Sequence, residues 1–163
     1  MTQQPQQPNQ KSKVLTSIPT WLPITILVIA LLGLADASYL AIEHFKGEVP
    51  NCSIIEGCDV VTTSKYSVIF GVPVALLGAM YYFVMATLML FWIDQRKNNV
   101  LRLASYFSFA GLGASFYFVY IQLFILNAIC LYCMGSAVSS TLIFIFSMLV
   151  LKKLSHGQPK NQP

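Results

Sequence analysis

From Leu103 to Leu151 the chain runs for 49 residues without an Asp, Glu, Lys or Arg. As one helix rising about 1.5 Å per residue, this stretch would be about 73 Å long, more than twice the hydrocarbon thickness of a bilayer. It must fold back on itself, and the natural break is at Asn127 and Ala128, just ahead of Cys130. Two other apolar runs are long enough to span: Leu22 to Ile42, interrupted only by Asp36, and Val68 to Ile93. The expected fold is all-α: a polytopic membrane protein forming a four-transmembrane-helix bundle. Its spans fall at about 22–42, 68–93, 103–126 and 129–151, with an extracytoplasmic loop at 44–67 between helices 1 and 2.

Composition excludes the alternative of a soluble domain. Only 10 % of residues are charged and 56 % are apolar, where soluble domains carry roughly 25 % charge. The net charge of +4 does not point to nucleic acid, because the basic residues cluster beside the spans. Lys11 and Lys13 precede span one, Arg96, Lys97 and Arg102 separate spans two and three, and Lys152, Lys153 and Lys160 follow span four. The other side holds only Lys46 and Lys65, so both termini are expected in the cytoplasm.

The remaining segments carry little. Residues 1–18 and 152–163 read as cytoplasmic tails, the first Gln- and Pro-rich and expected to be disordered, around a redox domain at 19–151. Ala35-Asp36-Ala37 has the form of a signal-peptidase site, but apolar character resumes at Tyr39, which argues for a retained span. Asn51-Cys52-Ser53 fits a glycosylation triplet that has meaning only in a eukaryotic secretory pathway.

Chemistry concentrates in four cysteines, Cys52, Cys58, Cys130 and Cys133, all placed by this topology at the outer, oxidising face. Cys130-Leu131-Tyr132-Cys133 is a C-x-x-C at the start of span four, where both sulfurs share a helix face and the positive helix end favours a thiolate. Cys52 and Cys58 sit in a polar loop long enough to swing, and a buried pair beside a mobile pair is what an electron relay needs. Two rival readings use the same residues: a pair of structural disulfides, and a Cys₄ zinc site whose second pair would have the wide C-x₅-C spacing. No metal is expected. Asp36, an ionisable residue within a span, reads equally as a functional group or as a side chain reaching the interface or Ser38. The aromatic band of Phe116, Tyr117, Phe118 and Tyr120 could line a pocket or simply pack.

Cys58-Asp59-Val60-Val61, then Ser64, Tyr66-Ser67, the run Gly71-Val72-Pro73-Val74-Ala75-Leu76-Leu77-Gly78 and the later C-x-x-C resemble the vitamin K epoxide reductase family in its bacterial branch. The similarity covers about residues 20–151. The resemblance implies an oxidoreductase that takes electrons from a dithiol donor and passes them to a lipid quinone: ubiquinone, menaquinone or phylloquinone. It implies that Cys133 reacts at the quinone with Cys130 as its exchange partner, and that Cys58 passes electrons to Cys130. Cys52 then exchanges with an external thioredoxin-fold thiol oxidase of DsbA type, and the Ser64 hydroxyl serves the quinone oxygen. Vertebrate members carry a Tyr seven residues after the first C-x-x-C cysteine, where this chain has Ala137, which argues against an epoxide substrate. About twelve residues follow span four, so the thiol partner is expected to be a separate protein and the chain to sit in a bacterial cytoplasmic (inner) membrane. Two alternatives are a non-catalytic tetraspan scaffold and a DsbB-like oxidase of unrelated origin. In the latter the C-x-x-C would lie in the first outer loop rather than at a later helix start.

Overall fold

The computed structural model describes residues 18–50 and 57–156. Both expected tails therefore lie largely outside the described residues, as do Cys52 and the Asn51-Cys52-Ser53 triplet. Helix α1 runs Trp21–Lys46, and α2 is the short helix Cys58–Thr62. Strands β1 (Val68–Ile69) and β2 (Val72–Pro73) form a small hairpin, followed by α3 (Val74–Gln95), α4 (Asn98–Tyr120) and α5 (Leu131–His156). A π-helical turn, Ile121–Leu126, extends α4. The four long helices are long and apolar enough to cross a membrane, and they pack as a bundle in which α1 touches α3 and α5 while α4 touches the same two.

Each helix end has a local cause. Gly47, at φ 71°, closes α1, with its own N–H and that of Glu48 donating to the His44 and Glu43 carbonyls. Arg96 ends α3 in the left-handed region at φ 52°, its guanidinium lying 4.8 Å from the Trp92 ring. Asn127, also left-handed at φ 48°, stops the π turn, and the N–H of Ala128 reaches back to the Gln122 carbonyl at 3.1 Å.

The second span begins later than hydropathy suggests. Residues 68–73 are apolar enough to belong to it, but Phe70 and Gly71 both take positive φ and turn the chain back into the hairpin, pairing Val68 with Pro73. Pro73 directly precedes the first helical residue, with ψ 132°. The third span begins earlier, at Asn98, so Arg102 lies inside a helix.

The packed core fills one half of the bundle. Leu22, Ile26 and Ala30 of α1 meet Met85, Met89 and Trp92 of α3, Leu101 and Ala104 of α4, and Ile143, Val150 and Leu154 of α5. Large apolar side chains such as Leu32, Phe83 and Leu103 point outward, as a surface solvated by lipid requires. The other half, toward the C-terminal end of α1, surrounds a cavity. Gly33 admits the Tyr82 ring, since a β-carbon there would lie 2.5 Å from Tyr82 Cε1, and Gly78 faces Ala37. Buried serines bond backbone and one another across helices: Ser105 Oγ donates to the Ser147 carbonyl at 3.1 Å, and the Ser115 and Ser140 hydroxyls pair.

Candidate active site

At the cavity end, α2 and the turn before α5 come together. Gly57 takes φ 148°, and a β-carbon there would lie 3.0 Å from the Ile129 carbonyl oxygen and 3.1 Å from its nitrogen. Glycine thus lets the residue before Cys58 pack on the residue before Cys130. Cys58 is the first residue of α2, is only 1 % exposed and is disulfide-bonded, so it is held in a folded element rather than on a swinging loop. The helix is sealed by its own hydroxyls: Thr62 Oγ1 donates to the Cys58 carbonyl at 2.6 Å and Thr63 Oγ1 to that of Asp59 at 2.6 Å.

Ser64 follows in the same pattern. Its hydroxyl donates to the Val61 carbonyl at 2.8 Å, and its own carbonyl accepts from Ser67 Oγ at 2.7 Å. It therefore closes the C-terminal turn of α2 and does not cap a following helix. The same residue is part of the cavity wall.

Cys130 and Cys133 are free thiols that occupy different surroundings. Cys130 immediately precedes α5 and is fully buried, lying in the 127–130 turn outside the four spans. A hydrogen bond from the Cys133 thiol, strengthened by the backbone N–H groups of Cys133 and Tyr132 at the helix start, outweighs burial and holds the Cys130 thiol below its ordinary range. Cys133, one turn along, is part of the cavity wall, whereas Cys130 is behind it. The pair thus has a buried member with a stabilised thiolate and a member in the cavity wall that donates a hydrogen bond to it.

The cavity measures about 890 Å³ and is bounded by α1, the segment after α2, and all three remaining long helices. Its walls are largely apolar, with Asp36, Tyr81, Tyr82 and Ser136 among the polar exceptions. Tyr82 is anchored, its hydroxyl bonding to the Ser136 carbonyl at 2.7 Å and lying 2.9 Å from Ser136 Oγ. Tyr81 stacks on Phe107 with ring centroids 5.3 Å apart. Of the aromatic band in α4, Tyr117 and Phe118 reach the cavity, while Phe116 and Tyr120 are exposed on the outside of the bundle.

Sequence reasoning passed over Gln122. It is 2 % exposed, and its Oε1 accepts the backbone N–H of Cys130 at 2.9 Å. A lone amide in an apolar span eight residues ahead of a C-x-x-C is a usable signal, but only the π turn shows that it faces back toward the cysteine. Among the described residues, no group of three or more His, Cys, Asp or Glu side chains is placed to hold a metal ion.

Comparison with individual curated proteins returns no match. The model of the vitamin K epoxide reductase family, by contrast, matches residues 24–148, a range that runs from α1 through the C-x-x-C to α5 and includes every described cysteine and Ser64. A match over that much of the sequence, on a four-helix membrane bundle, makes the chain an oxidoreductase belonging to the vitamin K epoxide reductase family.

Proposed function

We propose that the protein is a thiol:quinone oxidoreductase that oxidises a separate thioredoxin-fold partner of DsbA type and reduces a lipid quinone, supporting disulfide formation outside the cytoplasm. The observation that carries the reading is the placement of Cys133 and Ser64 in one apolar cavity, with the more acidic Cys130 behind Cys133 and next to the α2 start. A cavity of about 890 Å³ is within the range that takes a small-molecule ring system together with part of a tail.

In this reading, reduced partner passes electrons to Cys52, and Cys58 then attacks Cys130 of the oxidised C-x-x-C. The mixed disulfide resolves as Cys52 bonds Cys58, with Cys130 leaving. A sulfur stabilised as thiolate is a good leaving group, which suits Cys130 to that position. In the next state of this cycle Cys58 is oxidised and Cys130 and Cys133 are reduced. Cys133 then delivers two electrons to the quinone and the Cys130–Cys133 disulfide re-forms. Ser64 would turn its hydroxyl from the Val61 carbonyl to the quinone oxygen, stabilising charge where water is excluded. The distribution of Lys and Arg supports an orientation with both termini cytoplasmic and this end of the bundle on the outer face of a bacterial cytoplasmic membrane.

The test is quinone reduction by purified protein in detergent, followed by ultraviolet absorbance after addition of reduced thioredoxin-fold partner. Quinol should form with the wild type and not with Cys133→Ala. If neither protein reduces ubiquinone, menaquinone or phylloquinone analogues with several partners, the proposal fails and the stapled scaffold takes its place.

A further inference from the structure

Five buried side-chain polar atoms have no hydrogen-bond partner among the described residues, and only two of them, Asp36 Oδ2 and the Tyr81 hydroxyl, belong to residues in the cavity wall. An unpaired buried polar group is costly and rare, and one that belongs to a cavity wall gains a partner when a small side-chain rotation turns it to a bound ligand. Neither residue lies in the relay. Asp36 sits on α1, one residue before the buried Ala37 that packs near Gly78. Tyr81 is pinned on α3, its ring stacked on Phe107 and seated over Gly111, where a β-carbon would overlap it. In an apolar span, the interfacial reading of Asp36 would send its carboxylate outward to water or to Ser38. Its Oδ2 is buried and makes no hydrogen bond to Ser38.

The chemistry of a quinone sorts these two groups into roles. A quinone oxygen only accepts hydrogen bonds, and so does a carboxylate, so Asp36 can face that oxygen only when it carries a proton. After reduction the same oxygen bears a proton and donates to the carboxylate. A tyrosine hydroxyl donates to the quinone in either case without changing charge.

We propose that Asp36 is a catalytic proton carrier for the cavity's quinone and that Tyr81 is a binding contact to the same head group, a proposal that rests on the thiol:quinone reading above. The reduced site holds the Cys130 thiolate, the Cys133 thiol and protonated Asp36. Cys133 Sγ bonds to the quinone ring and its proton passes to one ring oxygen. Cys130 Sγ then attacks Cys133 Sγ, the sulfur–carbon bond breaks with its electron pair going to the ring, and the second oxygen takes the Asp36 proton. One thiolate, one thiol, one carboxylic acid and one quinone thus become one disulfide, one carboxylate and one quinol. The next reduction of the disulfide brings in two protons, one of which returns to Asp36.

Steady-state kinetics with ubiquinone-1 as probe separate the two roles. Asp36→Asn should lower kcat by about tenfold or more with little change in KM, and Asp36→Glu should retain most of the rate. Added formate should restore turnover to Asp36→Ala, which a merely structural role would not allow. Tyr81→Phe should raise KM several-fold with kcat nearly unchanged. Thermal midpoint and free-thiol content establish that each variant is folded. An Asp36→Asn enzyme with wild-type kcat overturns the proton role, as does a folded, slow Asp36→Ala that formate does not revive. Should the Asn and Ala variants not fold, the wild type decides: a kcat unchanged in deuterium oxide overturns it. If the wild type reduces no quinone, the underlying reading fails and this proposal falls with it.

Discussion

Gln122 Oε1 accepts the backbone N–H of Cys130 at 2.9 Å, tying the π turn at the end of α4 to the first residue of the C-x-x-C. Because Cys130 precedes α5, its N–H has no partner within that helix, and Gln122 supplies one in a region with almost no exposure to solvent. Replacing Gln122 with Leu leaves that donor unsatisfied and should cost about 1–3 kcal/mol, seen as a lower thermal midpoint in detergent. Gln122→Glu keeps an acceptor and should lose less. Equal midpoints for wild type and Gln122→Leu would show the bond to be dispensable.

The contact of Gly57 with Ile129 makes a kinetic prediction. Gly57→Ala meets both a left-handed backbone at φ 148° and the Ile129 carbonyl at 3.0 Å, so the start of α2 must move away from Cys130. Partner-driven turnover should fall about tenfold or more, as small displacements of reacting groups allow. Quinol formation in a single turnover of fully reduced protein should hardly change. Loss of both rates together would place the defect in folding instead.

Removing Cys133 should trap the exchange between the pairs. In Cys133→Ala, Cys130 has no partner within its own helix, and the adjacent start of α2 presents Cys58. Under mild oxidation, mass spectrometry after proteolysis should find a Cys58–Cys130 disulfide. Its absence, with Cys52–Cys58 intact and Cys130 a free thiol, would argue against transfer between those two sulfurs.

The depressed ionisation of Cys130 has a definite sign in pH. A thiol held below its ordinary range is thiolate above its own pKa and becomes protonated as pH falls through it. Thiolate absorbance near 240 nm in the reduced protein should therefore persist to lower pH than in a free cysteine. In Cys133→Ala, which removes the largest cause of the shift, the transition should move back up toward the ordinary range. An unchanged transition would mean that the helix start alone sets it.

Gly33 offers a test of the packing. Gly33→Ala places a β-carbon 2.5 Å from Tyr82 Cε1, so Tyr82 must leave its bonds to Ser136 or α1 must shift from α3. Overpacking of this kind costs about 1–3 kcal/mol, and the thermal midpoint should fall accordingly. A midpoint equal to that of the wild type would show that the bundle yields at this contact.

Hydropathy alone determined the four crossings, because a chain in lipid must satisfy its backbone hydrogen bonds within each segment, and apolar runs of this length then have few alternatives to helices. It also reached the turn at Asn127, where an uncharged stretch too long for one span had to reverse. Cysteine spacing and the run from Cys58 to Gly78 carried the family. The hairpin at 68–73 was hidden because its residues are as apolar as the span they precede, and backbone angles at Phe70 and Gly71 override their hydropathy. The cavity, the different surroundings of Cys130 and Cys133, the bond from Gln122 and the unpaired atoms of Asp36 and Tyr81 were decided by tertiary structure. Each depends on which faces of distant helices meet, and that is set by close approach at Gly33, Gly57, Gly78 and Gly111, which no local pattern of hydrophobicity encodes.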